Sequence, residues 1–151
     1  MMCSMEIKEL GHVVLYVTDL SQVADFYRDI LGFREIARNW PMALFSSGRT
    51  HHELLLIEVG GTPKTASHEM RPGLYHIGFK IGDGAQAAKE TYEELEKKQV
   101  SIVGTADHGV THSIYVLDPD GNELELYADI GEAWKHDPKA ILAEAKPLRF
   151  L

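Results

Sequence analysis

Two histidines stand 64 residues apart in matching surroundings, His12 ahead of Val13-Val14-Leu15 and His76 ahead of Ile77-Gly78-Phe79. Each opens an alternating stretch in which Val13, Leu15 and Val17, or Ile77, Phe79 and Ile81, take one side of a strand. Side chains alternate faces along a strand, so His12 and His76 are expected on the other side, away from the packed apolar set. The same parity count sends His52 and Glu58, Ser113 and Tyr115, and Glu123, Glu125 and Tyr127 to that side as well. Desolvating such groups without partners costs several kcal/mol. A divalent cation is one partner that would satisfy them. Two imidazoles and one carboxylate form the donor set of non-haem Fe(II) oxygenases, with about three positions left open for other ligands.

The elements that must hold these groups follow from the repeat. A shift of 64 residues also places Val13 on Ile77, Leu15 on Phe79, Val17 on Ile81, Asp19 on Asp83 and Ala24 on Ala88. Self-similarity of this kind marks a duplicated unit. Each copy reads as a strand, an acidic helix cap (Asp19 or Asp83) and a helix with one apolar stripe. The stripes are Val23, Phe26, Tyr27, Ile30 and Leu31 in the first copy and Ala88, Thr91, Tyr92 and Leu95 in the second, with Gly32 stopping the first helix. Three strand-like segments follow in each: 33–40, 42–46 and 52–59, then 100–106, 113–117 and 123–128. The spacing therefore predicts an α+β fold of two tandem βαβββ modules, about 8–60 and 73–128, within one domain of residues 1–128. Gly60 to Gly73 reads as a linker, and Asp118-Pro119-Asp120-Gly121-Asn122 as the turn of the last hairpin. Residues 129–151 fit neither copy. Their Ala-rich stretch, Lys139 to Lys146, is expected to form a short helix.

Composition narrows the classes of function. The chain has 151 residues, 15 Lys and Arg against 23 Asp and Glu, and a net charge of -8. Without a basic cluster, nucleic acid is a poor partner. Apolar runs such as Val13 to Val17 and Leu54 to Ile57 fall far short of the roughly 18 residues that span a bilayer, and Met1 to Leu10 lacks the apolar centre of a signal peptide. Cytoplasmic residence is the expectation. Cys3 is the sole cysteine, so disulfides within the chain and cysteine-based zinc sites are excluded, and a bound metal would rely on His and carboxylates.

The motifs Gly11-His12-Val13, Asp25-Phe26-Tyr27-Arg28-Asp29-Ile30-Leu31-Gly32-Phe33, Tyr75-His76-Ile77-Gly78-Phe79 and Asp118 to Asn122 followed by Glu123-Leu124-Glu125-Leu126-Tyr127 resemble the vicinal oxygen chelate superfamily. That superfamily includes glyoxalase I, bleomycin and fosfomycin resistance proteins, and type I extradiol dioxygenases. The resemblance covers about residues 8–128 and implies paired modules forming a cupped mixed sheet, helices outside, with His12, His76 and Glu125 as metal ligands. The chain resembles the extradiol branch further: His51-His52 opens the fourth strand, Asp107-His108 precedes the seventh, and Tyr115 lies ten residues before Glu125. This implies catalytic roles for His52, Tyr115 and His108, with His112 as an alternative to His108.

The implied activity is metal-dependent ring cleavage of a catechol-like diol by O2, beside the diol, with Fe(II) or Mn(II). Many extradiol enzymes carry four modules, so this chain is expected to complete its pocket with residues 129–151 or a second subunit, and to form a homodimer. The alternatives are a glyoxalase-like lyase or isomerase using Zn or Ni, and a non-catalytic small-molecule binder of the antibiotic-resistance type. The lyase branch takes a fourth ligand from the fourth strand, where Glu58 has the expected parity.

Overall fold

Alternation of large apolar residues builds β1 (Val13–Val17), in which Leu15 and Val17 are buried while Val14 and Tyr16 are exposed. Asp19 then caps a helix, its Oδ1 accepting from the backbone N of Gln22 at 2.8 Å, which satisfies one orphan donor of the first turn. α1 (Leu20–Asp25) continues as a single π-helical segment over Phe26–Ile30 and stops at Gly32, whose φ of +77° is a backbone conformation that glycine adopts without the penalty a side chain would carry. The expected helix is thus wound in two parts. The wider π turn keeps Val23 and Tyr27 fully buried and leaves Phe26, Ile30 and Leu31 only partly so.

β2 (Arg34–Asn39), β3 (Met42–Ser46) and β4 (Leu54–Glu58) complete a four-stranded sheet in the order β1-β4-β3-β2. β4 runs parallel to β1 with Val13 beside Leu54, Leu15 beside Leu56 and Val17 beside Glu58. Leu54, Leu56 and Phe45 are fully buried, and α1 packs against β3 and β4.

The second copy repeats the order with a stricter alternation. β5 (His76–Asp83), α2 (Ala85–Lys97), β6 (Ile102–Asp107), β7 (Thr111–Leu117) and β8 (Glu123–Asp129) form a sheet in the order β5-β8-β7-β6, extended by a two-residue β9 (Lys146–Pro147) on β6. α2 buries Ala88 and Leu95 and packs against β5, β7 and β8. Asp83 does not cap it. β5 runs on through Asp83, whose carboxylate pairs with Lys80, and the cap position falls to Gly84 with φ +86°. The β7–β8 turn is held by Asp118, whose Oδ1 accepts from the backbone N of Asp120 and of Asn122.

These elements come from a computed structural model that describes residues 5–64 and 70–150. Cys3 and part of the expected linker lie outside those residues. The chain divides between residues 63 and 64 into two compact units, and the residues after β8 are grouped with the second. Their helical content also differs from expectation: α3 is Ala133–His136, and a 3-10 turn spans Pro138–Leu142. So short a run cannot propagate without tertiary support, and the chain turns extended by Lys146 to pair with β6.

Candidate metal centre

In the second unit the expected face is assembled as parity requires. Cα partners across β5, β8 and β7 are Gly78 with Glu125 and Glu125 with Tyr115, and His76 with Glu123 and Glu123 with Leu117. Ile77, Leu124, Leu126, Ile114 and Val116 turn the other way into the core. On the polar face His76 Nε2 stands 3.0 Å from Glu125 Oε2. The other carboxylate oxygen, Oε1, accepts from Ser113 Oγ at 2.6 Å and from Tyr115 Oη at 3.3 Å.

Tyr115 is joined in turn by His108, whose Nε2 lies 2.8 Å from the phenol oxygen. The chain is satisfied when His108 Nε2–H donates to Tyr115 and Tyr115 donates to Glu125. The β6–β7 turn aims His108 there: Asp107 Oδ1 accepts from the backbone N of Gly109, and Gly109 adopts φ +81°. Burial, reinforced by the charge of Glu125, pushes the Tyr115 phenol well above its ordinary range, so it remains a donor at neutral pH.

His112, the alternative to His108, occupies the opposite parity of β7 with Ile114 and Val116. Its Nε2 faces Asp107 Oδ2 at 3.8 Å, so it does not join this network. Ser113 is the member that sequence reasoning placed on the face without assigning a role. Its position two residues before Tyr115 was the available signal.

A metal fits this pair of donors. If His76 Nε2 carries a proton, the 3.0 Å contact is a hydrogen bond; if it is bare, two lone pairs face each other and a cation between them removes the repulsion. Neighbouring donors with bonds of about 2.1 Å in octahedral coordination stand about 3.0 Å apart. His76 Nδ1 is buried and finds no hydrogen-bond partner among the described residues. Within those residues no group of three or more His, Cys, Asp and Glu is gathered in metal-binding geometry.

The first unit holds the remaining candidates. His12 and His52 have ring centroids 4.6 Å apart, as do His51 and His52, whose Nδ1 atoms approach to 2.6 Å. Desolvation, then the neighbouring His12 and His51, lower the pKa of His52. The parity argument behind His52 and Glu58 does not hold in this unit. β4 begins only at Leu54, and the irregular residues 51–53 break the alternation. Counted from the observed register, Leu54, Leu56 and Glu58 share the helix side with Leu15 and Val17. Glu58 is therefore no fourth ligand: its Oε2 accepts from the backbone N of Leu20 at 2.8 Å, capping α1, and its Oε1 accepts from Trp40 Nε1. The position whose register matches Glu125 is Leu55, beside Val14 as Glu125 is beside Gly78.

Beside His76, Tyr115 and Glu125, the second unit forms an open cavity of about 680 Å³ whose apolar wall includes Val110, Trp134, Pro138 and Ile141. This lies within the range usual for small-molecule sites.

Two tandem βαβββ units define the glyoxalase-type α+β fold, a class that includes metal-dependent enzymes. By residues 9–126 the chain belongs to the Glyoxalase/Bleomycin resistance protein/Dioxygenase superfamily. It is 32% identical over 126 residues to biphenyl-2,3-diol 1,2-dioxygenase 3 of Rhodococcus globerulus, covering 80% of this chain and 63% of that protein. It spans less than two thirds of the length of the dioxygenases it matches. To the metallothiol transferase FosB of Staphylococcus haemolyticus it is 31% identical over 143 residues, 93% of this chain and 95% of the relative. A glyoxalase/dioxygenase from Nostoc punctiforme shares the fold with a TM-score of 0.67 at 20% identity, covering 82% of this chain and 92% of that one. Among the described residues no helix is long and apolar enough to cross a membrane.

Proposed function

We propose that this chain is a metal-dependent extradiol-type dioxygenase that opens a catechol-like ring with O2, His76 and Glu125 serving as ligands with His12 as the ligand expected from the first unit. The observation that carries the reading is the run His108–Tyr115–Glu125, linked at 2.8 Å and 3.3 Å beside His76. A phenol held protonated and aimed by an imidazole suits a site that must hydrogen-bond a diolate oxygen. The metal, Fe(II) or Mn(II), would chelate the diol and bring O2 next to it. Tyr115 turns its O–H from Glu125 to a substrate oxygen, and His108, donating to the phenol oxygen, fixes the direction of that donor. His52, kept neutral by its surroundings, accepts and returns a proton during ring opening. Both oxygen atoms enter the product, and the ring bond broken lies beside the diol. Leu55 at the position matching Glu125 speaks against a four-ligand lyase site.

A second reading, metal-dependent thiol transfer, is favoured by the nearly full-length match to FosB. An oxygen electrode separates them. Fe(II)-loaded protein is expected to consume O2 with a catechol, and Tyr115→Phe to retain metal while losing about 10² to 10⁴ in rate. No uptake across a panel of catechols, together with thiol consumption in the presence of fosfomycin, would favour the transferase.

A further inference from the structure

Ser113 is fully buried in β7 although its hydroxyl belongs to the polar face, and a buried hydroxyl needs a partner. Its partner is the carboxylate of Glu125. Across the antiparallel pair β7 and β8, Glu125 stands opposite Tyr115 and Ser113 opposite Tyr127, so Ser113 approaches Glu125 on the diagonal. From there Ser113 Oγ reaches Oε1 at 2.6 Å, against 3.3 Å for Tyr115 Oη, and His108 Nε2 lies 4.0 Å from the same oxygen. A serine hydroxyl has a single proton to give. With that proton committed to Glu125, Ser113 accepts from Thr111, whose Oγ1 is 3.4 Å away.

The two oxygens of Glu125 are thereby treated unequally. A carboxylate oxygen offers two lone pairs, and on Oε1 the hydroxyls of Ser113 and Tyr115 take both. Oε2 faces His76 Nε2 at 3.0 Å. The neighbouring position on β5 is Gly78, the Cα partner of Glu125, where a Cβ would come within 3.7 Å of Oε2; its absence keeps room on that side. A cation shared with His76 therefore meets one free carboxylate oxygen and not two. Transition ions that take imidazole and single oxygens in octahedral sites are suited by this arrangement. Ca(II) gathers about six to eight oxygens and uses bidentate carboxylates to reach that number, so it is poorly served.

We propose that Ser113 is a positioning residue of the metal centre: by holding Oε1 it makes Glu125 a ligand through Oε2 alone and biases the site toward Mn(II) or Fe(II) and against Ca(II). This rests on His76 and Glu125 as ligands, as in the reading above, but not on ring cleavage. Outer partners of a ligand commonly carry about 10- to 100-fold in metal affinity.

The test is calorimetry on the full chain with Mn(II) or Ca(II) alone as the probe. In the wild type Mn(II) is expected to bind stoichiometrically and more tightly than Ca(II). Ser113→Ala frees a lone pair of Oε1 and is expected to weaken Mn(II) binding about 10- to 100-fold, while Ca(II) binding holds or tightens. General damage to the fold would weaken both metals alike and would lower the urea midpoint. Tyr115→Phe, which removes the longer bond, is expected to lose less Mn(II) affinity, and Ser113→Thr, which keeps the hydroxyl, to stay nearer the wild type than Ser113→Ala does. Unchanged Mn(II) affinity in Ser113→Ala, or equal losses for the two metals, would overturn the proposal. A wild type that binds neither ion removes the metal centre and the role of Ser113 together. If the metals follow the expected pattern while the Fe(II)-loaded protein takes up no O2 with any catechol, Ser113 keeps its role and the ring-cleaving reading falls.

Discussion

The two βαβββ units share an element order but not a division of labour. In the second, the face opposite α2 carries His76, Ser113, Tyr115 and Glu125 in one hydrogen-bonded set. In the first, the positions matching Glu125, Tyr115 and Ser113 are Leu55, Leu44 and Met42, and the chemistry is confined to His12, His51 and His52 ahead of the strands. Carboxylates differ likewise: Glu125 faces an imidazole, whereas Glu58 has become a helix cap. Duplication preserved the scaffold because core packing demands the same alternation in both copies. The polar face, free of that demand, diverged.

Breaking the second unit's pair should produce the largest effect. His76→Ala removes one donor of the 3.0 Å pair and is expected to abolish stoichiometric metal binding while leaving the circular dichroism spectrum intact, since the half-buried His76 lies outside the apolar core. Full metal occupancy by elemental analysis of that variant would remove the asymmetry between the units.

The converse test addresses Glu58. As a cap for Leu20 its loss should be felt in stability and not in chemistry, so Glu58→Ala is expected to cost about 1 to 2 kcal/mol in urea unfolding with metal content unchanged. Loss of metal at unchanged stability would return Glu58 to the ligand set.

A smaller effect sharpens the picture of the first unit's edge. Glu35 on β2 receives a bidentate pair of bonds from Arg38 at 2.7 and 2.9 Å and a longer one from Arg28, and the Arg38 bonds hold its pKa below the ordinary 4.5. A lowered carboxylate pKa contributes stability above the unfolded value and loses it as the pH falls through the folded one. Glu35→Gln should therefore cost under about 1 kcal/mol at neutral pH and flatten the acid limb of the stability profile below about pH 4.5. An unchanged acid limb would show the pair to be idle.

The same contrast explains what could be read from the sequence. In β5, β7 and β8 apolar and polar residues alternate without interruption, so parity alone brought His76, Tyr115 and Glu125 to one face. Leu54-Leu55-Leu56-Ile57 offers no such contrast, and a count begun at His52 started among irregular residues and arrived one step out of phase. The cap at Asp19 was legible from residue type; Asp83 was not, because β5 continues one step further than its apolar pattern. His108 and His112 could not be separated without the turn that Gly109 makes. Trp134 and Ile141 had no counterpart in either repeat; the Ile130–Val110 backbone bond and the pairing of β9 with β6 hold the two ends of their segment.

The β7–β8 turn has a further meaning for how this site is held in register. Gly121 adopts φ +81°, and a Cβ there would meet the carbonyl oxygen of Lys64 at 2.5 Å, while Lys64 itself donates to the carbonyl of Asp120 at 2.9 Å. The contact is main chain against main chain. It rivets the hairpin that aligns Tyr115 with Glu125 to the point where the chain enters the second unit. A main-chain fastening of this kind leaves its trace in the amino-acid sequence chiefly as the side chain that residue 121 lacks.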